Sequence, residues 1–123
     1  MVANPLTILF VEDESELRDL VMSMLLSKGF QVLVAPDGVD ALHILRRQHI
    51  DLLFTDIVMP GINGVLLARQ ARDLQPGLKV LFTTGYVQRA LERNAVLYGP
   101  VLFKPLRHTE IIQEVEALLG PAA

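Results

Sequence analysis

The sequence predicts an α/β fold in which helices cover both faces of a doubly wound, five-stranded parallel sheet. Short apolar runs of strand length alternate five times with segments whose apolar residues recur at helical spacing. The apolar runs are continuous rather than alternating with polar residues, which is typical of strands covered on both faces. At 123 residues the chain has the size of a single domain. We therefore expect one domain over residues 1–123, with its core over about residues 6–119 and no output domain.

Three strands and two helices are predicted in the first half of the chain. The first strand ends in acidic residues, and the helix after it carries apolar residues three, four, seven and eight positions after Leu17. Gly29 is a natural stop for that helix, and a Pro-Asp-Gly turn separates the second strand from the second helix. The predicted elements are a strand at Leu6–Val11, a helix that stops before Gly29, a strand at Phe30–Ala35, a helix at Val39–Gln48 and a strand at Ile50–Thr55 that ends at Asp56.

Two strands and three helices are predicted in the second half. A Met-Pro-Gly sequence breaks the chain after the third strand, and a Pro-Gly turn precedes the fourth strand. The fourth helix has only weak apolar periodicity, and Pro105 ends the last strand. The predicted elements are a helix at Gly64–Asp73, a strand at Val80–Thr83, a weak helix at Val87–Arg93, a short strand at Val101–Phe103 and a helix at Thr109–Leu119.

The composition excludes several classes of protein. The chain has no cysteine, so disulfide frameworks and cysteine zinc sites are excluded. The net charge is −3 and there is no stripe of lysine or arginine, so we expect no direct binding of nucleic acid. No basic leader and no run of about 18 apolar residues is present, so we expect a cytoplasmic domain that does not enter a membrane.

Polar side chains follow four of the predicted strands at the point where each strand ends. Parallel strands bring their carboxyl ends to one edge of the sheet, so these side chains are expected to lie together. Three carboxylates in one crevice repel each other unless a cation is present, and Mg²⁺ or Mn²⁺ suits such oxygen ligands. A lysine and a hydroxyl beside them suit a phosphoryl group. The candidate residues are Glu12, Asp13, Asp56, Thr84 and Lys104.

Four segments of the chain resemble the receiver domains of two-component response regulators. The segments are Ile8–Glu14, Asp56–Gly64 with its Asp-x-x-Met-Pro-x-x-x-Gly pattern, Phe82–Gly85 and Phe103–Pro105. The resemblance implies a flavodoxin-like (βα)5 fold with strand order 2-1-3-4-5. The start at Met1 favours a stand-alone, chemotaxis-regulator-like unit. The Thr-Gly-Tyr and Leu-Phe-Lys-Pro-Leu sequences are also similar to receivers excised from hybrid histidine kinases.

The resemblance implies that Asp56 accepts a phosphoryl group. The donor would be the phosphohistidine of a histidine kinase or of a histidine phosphotransfer protein, and the product an aspartyl phosphate. Asp13, Asp56 and the carbonyl of Val58 would bind the metal ion directly, and Glu12 mainly through a water. Such a domain is not an enzyme with an external substrate, because it catalyses only its own phosphorylation and dephosphorylation.

The resemblance also implies a two-state conformational switch. Lys104 would pair with a phosphoryl oxygen, Thr84 would turn toward the phosphoryl group, and the change would reach the face formed by helix four, strand five and helix five. The peptide bond between Lys104 and Pro105 is expected to be cis. The chain departs from the family at Val101, where an aromatic switch residue is common, and Tyr98 lies three residues too early. The interval from Thr84 to Lys104 is about two residues short, which predicts a shortened fourth helix.

Two further expectations concern lifetime and partners. Val58 and Tyr86 flank the path of the hydrolytic water in this family, and neither side chain assists that water, so slow dephosphorylation is expected. Helix one, with its exposed side over Glu16–Ser27, is the expected docking face for the phosphodonor. Helices four and five are the expected interface of a weak homodimer, and the downstream target is unknown.

Three other functions compete with the phosphorylation switch. A degenerate receiver that serves only as a docking module normally lacks the acidic pair, the aspartate or the lysine, and all are present here. A flavodoxin-like cofactor carrier needs a Ser/Thr/Gly-rich loop after strand one, where this chain has Glu12–Glu14. A haloacid-dehalogenase-type phosphatase needs a second carboxylate two residues after Asp56, where this chain has Val58.

Overall fold

A computed structural model describes residues 5–122 and places eleven elements along them. Among these residues, the longest helix has 13 residues, and none combines the length and apolar character needed to cross a membrane. In chain order the elements are β1 (Thr7–Val11), α1 (Ser15–Ser27), β2 (Gln31–Ala35), α2 (Gly38–Arg47), β3 (Leu52–Asp56), α3 (Gly64–Leu74), β4 (Lys79–Thr84), α4 (Val87–Glu92), the 3₁₀ turn η1 (Ala95–Leu97), β5 (Val101–Phe103) and α5 (His108–Leu119).

The five strands form one parallel sheet in the order β2-β1-β3-β4-β5. This confirms the predicted doubly wound, flavodoxin-like fold. Val11 pairs with Thr55, and Asp56 pairs with Thr83, so β1, β3 and β4 end at the same level. Residues that directly follow these strands are therefore delivered to one edge of the sheet.

Alternate residues of the strands pack on opposite faces of the sheet. Leu9 and Phe82 belong to the cluster that includes α2 and α3, whereas Phe10 and Phe54 belong to the cluster that includes α1 and α5. The rings of Phe10 and Phe54 lie 4.8 Å apart between centroids at a tilt of 47°. Both central strands, β1 and β3, are buried along their whole length. Two fully buried strands therefore support the carboxyl edge of the sheet.

Several predicted boundaries were wrong by one residue, among them the starts of β2 and α5, the ends of α2 and α3, and both ends of β4. Three further differences, of one or two residues, are explained by side-chain hydrogen bonds. β1 begins at Thr7 instead of Leu6, and the Thr7 N–H donates to the side chain of Asp51. β3 begins at Leu52 because the Ile50 N–H donates to the Gln75 side chain instead of a strand. α2 begins one residue early, at Gly38, because the Asp37 side chain caps it by accepting the Asp40 N–H at 2.9 Å.

The segment between β4 and β5 is short and irregular. α4 has only six residues and ends at Glu92, which confirms the expected shortening, one residue earlier than predicted. Asn94 then adopts a left-handed conformation with φ 56°, and η1 follows. Gly99 lies so close to β4 that a Cβ atom there would collide with the carbonyl oxygen of Val80. The chain therefore reaches β5 through a tight, glycine-dependent contact.

Candidate functional site

Three carboxylates meet at the carboxyl edge of the sheet. Glu12 and Asp13 follow β1, Asp56 ends β3, and one carboxylate oxygen from each lies within 4.8 Å of the other two. Glu12 and Asp56 are 1% and 5% exposed, whereas Asp13 is exposed to solvent. Carboxylate oxygens at this spacing are the ligands of a hard divalent cation. The donor set therefore fits the divalent metal that the sequence predicts.

Lys104 joins two of these carboxylates. It directly follows β5, and its Nζ lies 2.8 Å from Asp56 Oδ2 and 3.1 Å from Glu12 Oε1. The peptide bond between Lys104 and Pro105 is cis, as expected. One ammonium thus bridges the acidic ends of β1 and β3 from the edge strand of the sheet.

Burial and charge act in opposite directions on these groups. Burial raises the pKa of Glu12, and the N–H of Glu14 and the ammonium of Lys104 offset this only in part, so the pKa lies above its ordinary value. Burial lowers the pKa of Lys104, but the hydrogen bond and attraction of Asp56, followed by those of Glu12, outweigh it and raise the pKa overall. The lysine is therefore held in its charged form beside the carboxylates.

Local backbone contacts orient the acidic side chains. Glu12 Oε2 accepts the Glu14 N–H at 3.1 Å, and Arg18 Nη1 donates to the Glu12 carbonyl at 2.9 Å. Asp56 Oδ1 accepts the Val58 N–H at 3.2 Å. The Asp56 carboxylate therefore has one oxygen on a backbone amide and the other on Lys104.

The loop after Asp56 requires a glycine at its end. The Gly64 N–H donates to the Ile57 carbonyl at 2.8 Å, and a Cβ atom on Gly64 would collide with the carbonyl oxygen of Asp56. The Asn63 side chain caps α3 by accepting the N–H groups of Val65 and Leu66, each at 2.9 Å. This close return explains why the predicted motif ends in glycine.

Thr84 lies at the same edge, but its hydroxyl has other partners. The residue is fully buried, and Oγ1 accepts the Tyr86 N–H at 3.0 Å. No hydrogen bond from this hydroxyl to Asp56 is present among residues 5–122. Val101 begins β5, pairs with Phe82 and packs against the core. The structure thus brings Glu12, Asp13, Asp56 and Lys104 together, with Thr84 nearby and Val101 at the far end of its strand.

Sequence reasoning missed two side-chain supports, one at this site and one near the opposite edge of the sheet, where β4 begins. Arg18, whose side chain holds the Glu12 carbonyl, lies within α1, and its only sequence signal is a long cationic side chain one turn after the acidic loop. Arg72 on α3 donates to the Leu78 and Tyr98 carbonyls, and its guanidinium lies 5.7 Å from the Tyr98 ring centre. Nothing in the local sequence signals that contact, because its partners are distant along the chain.

Comparison with known families agrees with this geometry. Residues 8–116 match the family model for the response regulator receiver domain. This chain belongs to that family. Receiver domains are signalling domains of two-component systems, so the resemblance inferred from the sequence is confirmed.

Two curated relatives represent different settings of the receiver domain. The chain is 35% identical to the response regulator receiver protein CpdR of Brucella abortus, over 91% of this chain and 95% of that protein. It is 38% identical to the sensor kinase CckA of the same organism, over 72% of this chain but only 10% of that protein. Similar receivers therefore occur as nearly the whole of one protein and as a small part of another.

Solved structures support the same receiver fold. The response regulator TrrA of Thermotoga maritima, solved in complex with Mg²⁺-BeF, is 27% identical, with a TM-score of 0.84 over 92% of this chain and 98% of that one. The receiver domain of the hybrid histidine kinase CckA is 35% identical, with a TM-score of 0.79 over the same two fractions. The receiver fold thus extends over nearly all of this chain.

Proposed function

We propose that this receiver domain is a phospho-accepting switch in which Asp56 takes a phosphoryl group from a phosphohistidine. The observation that carries the proposal is the ammonium of Lys104, which lies 2.8 Å from Asp56 Oδ2 and 3.1 Å from Glu12 Oε1, two of the three clustered carboxylates. A structural ion pair requires only one carboxylate, whereas this site gathers three at a strand edge. That excess of negative charge suits a divalent cation, and the cation together with Lys104 offsets the negative charge of a phosphoryl group.

The proposed transfer is a single displacement at phosphorus. A carboxylate oxygen of Asp56 attacks, the phosphorus–nitrogen bond breaks, and its electron pair returns to the imidazole, which then takes up a proton. The Asp56 oxygens are already oriented by the Val58 N–H and by Lys104. Holding the nucleophile in place lowers the entropic cost of the reaction. The product is an aspartyl phosphate, which water later hydrolyses.

The proposed metal ligands are Asp13, Asp56 and the backbone carbonyl of Val58, with Glu12 acting mainly through a water. Mg²⁺ or Mn²⁺ bound there supplies positive charge that stabilises the transferring phosphoryl oxygens. The Mg²⁺-BeF complex of TrrA concerns a relative with the same fold and supports this assignment. Glu12 is oriented by the Glu14 N–H, whereas Asp13 is exposed and free to turn toward the cation.

The proposed relay begins at Thr84 and Lys104. After transfer, new phosphoryl oxygens attract the ammonium of Lys104 and the hydroxyl of Thr84. The Thr84 hydroxyl must then leave the Tyr86 N–H, which it holds at 3.0 Å in this structure. The loop from β4 to α4 therefore changes its hydrogen bonding first, and the face formed by α4, β5 and α5 follows.

The proposed partners are a histidine kinase or a histidine phosphotransfer protein. The similarity to receivers within the sensor kinases CckA and RcsC supports a phosphohistidine donor. The proposed docking surface is α1, where Leu20 is 68% exposed. A weak homodimer through α4 and α5 remains part of the proposal, and the downstream target is not identified.

Intact-mass measurement with a small-molecule phosphodonor tests the proposal. Wild type is expected to gain one phosphoryl mass with Mg²⁺ and none with a chelator. Asp56→Asn is expected to gain none, whereas Asp73→Asn, an exposed aspartate on α3, is expected to behave as wild type. If the wild-type mass does not change in the presence of Mg²⁺, the chain is a phosphorylation-independent docking module and the proposal fails.

A further inference from the structure

The surface between α3 and the α4–η1 segment carries a groove that the phosphoryl chemistry does not use. The groove encloses about 370 Å³, and its walls include Arg69 of α3 and Arg93 just after α4. Apolar and amide side chains complete it, among them Leu66, Leu97, Tyr98 and Asn94. We call this surface the two-arginine groove.

Among the side chains that the structure describes, the two guanidinium groups of the groove have no partner. Within the part of the chain that the structure describes, neither Arg69 nor Arg93 has an ion pair or a side-chain hydrogen bond. Each guanidinium carries five N–H donors and a permanent positive charge. By contrast, Arg72 on the same helix is held by two backbone carbonyls. The groove therefore presents positive charge that the fold itself does not use.

The charge of the groove contrasts with that of the chain. The whole sequence carries a net charge of −3, but the described residues that line the groove include two arginines and no acidic side chain. Leu97, which is 75% exposed, provides an apolar contact beside the two cations. Exposed apolar and tyrosine side chains with arginine at the rim are typical of protein interaction sites.

The solvent exposure of the two-arginine groove argues against a small molecule as its ligand. Arg69, Arg93, Asn94 and Leu97 are all exposed, so a ligand would keep one side in solvent. Pockets for small molecules usually bury about 70–90% of the ligand surface. We infer that the two-arginine groove binds an acidic peptide segment of a partner protein, with its carboxylates on Arg69 and Arg93 and an apolar side chain on Leu97. This inference does not depend on phosphorylation of Asp56.

Two synthetic peptides test the inference by nuclear magnetic resonance with the full, unphosphorylated chain. The first is a capped peptide of about eight residues with glutamates around a central leucine, and the second has lysine in place of each glutamate. We expect the glutamate peptide to bind with a Kd on the order of 0.1 mM, to shift the amides that border the groove, and to bind less tightly as salt is raised. We expect no binding of the lysine peptide.

A charge-matched pair of variants locates the binding. The double variant R69E/R93E is expected to lose at least about tenfold in affinity. The control R46E/R47E makes the same change of net charge at two exposed positions of α2 and is expected to stay within about twofold of wild type. Leu97→Ser leaves the charge unchanged and is expected to weaken binding severalfold.

Four results would overturn the inference. They are no amide shifts with the glutamate peptide, shifts centred outside the groove, equal binding of the lysine peptide, or equal weakening in R46E/R47E. A wild-type dimer that R69E/R93E dissociates would assign the groove to a second copy of this chain instead. An amide spectrum of each variant distinguishes a lost contact from a lost fold.

Discussion

The acidic edge at β1 and β3 and the segment from α4 to β5 are built in different ways. The first lies at the end of two fully buried strands, and its side chains are oriented by backbone amides and one lysine. The second passes through a six-residue helix, a left-handed residue and a 3₁₀ turn before a three-residue strand. The acidic side chains are therefore placed by the sheet, whereas the segment from α4 to β5 is placed by side-chain contacts and close approaches of the backbone.

Removal of the Lys104 ammonium is expected to have the largest effect on the stability of the acidic edge. Lys104→Met leaves Glu12 and Asp56 buried without their cation, so we expect the free energy of unfolding of the metal-free protein to fall by about 3 kcal/mol. Lys79→Met removes an exposed lysine and is expected to change it by less than about 0.5 kcal/mol. Urea unfolding in a chelator measures both. Equal stability of the two variants would show that the carboxylates do not need Lys104.

Glycine substitutions compare the two regions directly. In Gly64→Ala the new Cβ would collide with the Asp56 carbonyl, and in Gly99→Ala it would collide with the Val80 carbonyl, so each is expected to cost about 2 kcal/mol. Gly77 has open space around its Cβ position, and Gly77→Ala is expected to be neutral or slightly stabilising. Only Gly64→Ala is expected to slow phosphorylation as well. A normal rate in that variant would contradict the role of the loop after β3.

Arg72 tests how the α4–β5 segment is held. Arg72→Ala removes two hydrogen bonds to carbonyls and the contact with the Tyr98 ring, so we expect a loss of about 1.5 kcal/mol. Arg69→Ala, less than one turn away and exposed, is expected to lose less than about 0.5 kcal/mol. Thermal or urea unfolding compares the two. Neither variant is expected to change the yield of phosphorylated Asp56.

The pH dependence of stability reports on Glu12. Because its pKa in the folded state lies above the ordinary value of 4.5, the folded state binds more protons than the unfolded state above that pH. The contribution of Glu12 to the free energy of unfolding of the metal-free protein is therefore expected to fall as the pH rises from about 4.5 through the pKa of Glu12 in the folded state. Glu12→Gln removes this pH-dependent contribution. The control Glu16→Gln, at an exposed position of α1, leaves it unchanged. Identical slopes in the two variants would refute the effect of burial.

The lifetime of the aspartyl phosphate tests whether side chains beside the acidic edge assist the hydrolytic water. Val58 and Tyr86 are 41% and 62% exposed beside the site, and neither is suited to orient a hydrolytic water. We expect a lifetime of minutes or longer in wild type, and severalfold faster decay in Val58→Asn. Val39→Asn, at an exposed position of α2, serves as the control. Decay of the wild-type phosphate within seconds would contradict the expectation.

Most of the fold and the acidic edge were predictable from sequence. Strand periodicity and strand-end acids placed Glu12, Asp13 and Asp56 at one edge, because parallel strands impose that arrangement whatever the side-chain details. Boundaries were less accurate, since the start of β3 depends on a hydrogen bond from Ile50 to Gln75, which is 25 residues away.

The rest depended on contacts that a local pattern does not contain. The hydroxyl of Thr84 lies on the Tyr86 amide instead of near Asp56, a choice between two partners that only the folded loop decides. Val101 is not aromatic, and the nearby aromatic residue Tyr98 packs against the guanidinium of Arg72. Weak periodicity in α4 predicted its shortness but not the turn that follows it.

The bridge between Glu12 and Lys104 also has a consequence for the order of folding. The two residues are 92 positions apart, so this contact closes a loop that contains most of the chain. Contacts of such separation form late, because the entropy of the intervening chain must first be lost. A nascent chain that has emerged only through β4 already contains all three carboxylates but lacks their lysine. The contacts of Lys104 with Glu12 and Asp56 therefore form only when β5 docks on the completed sheet.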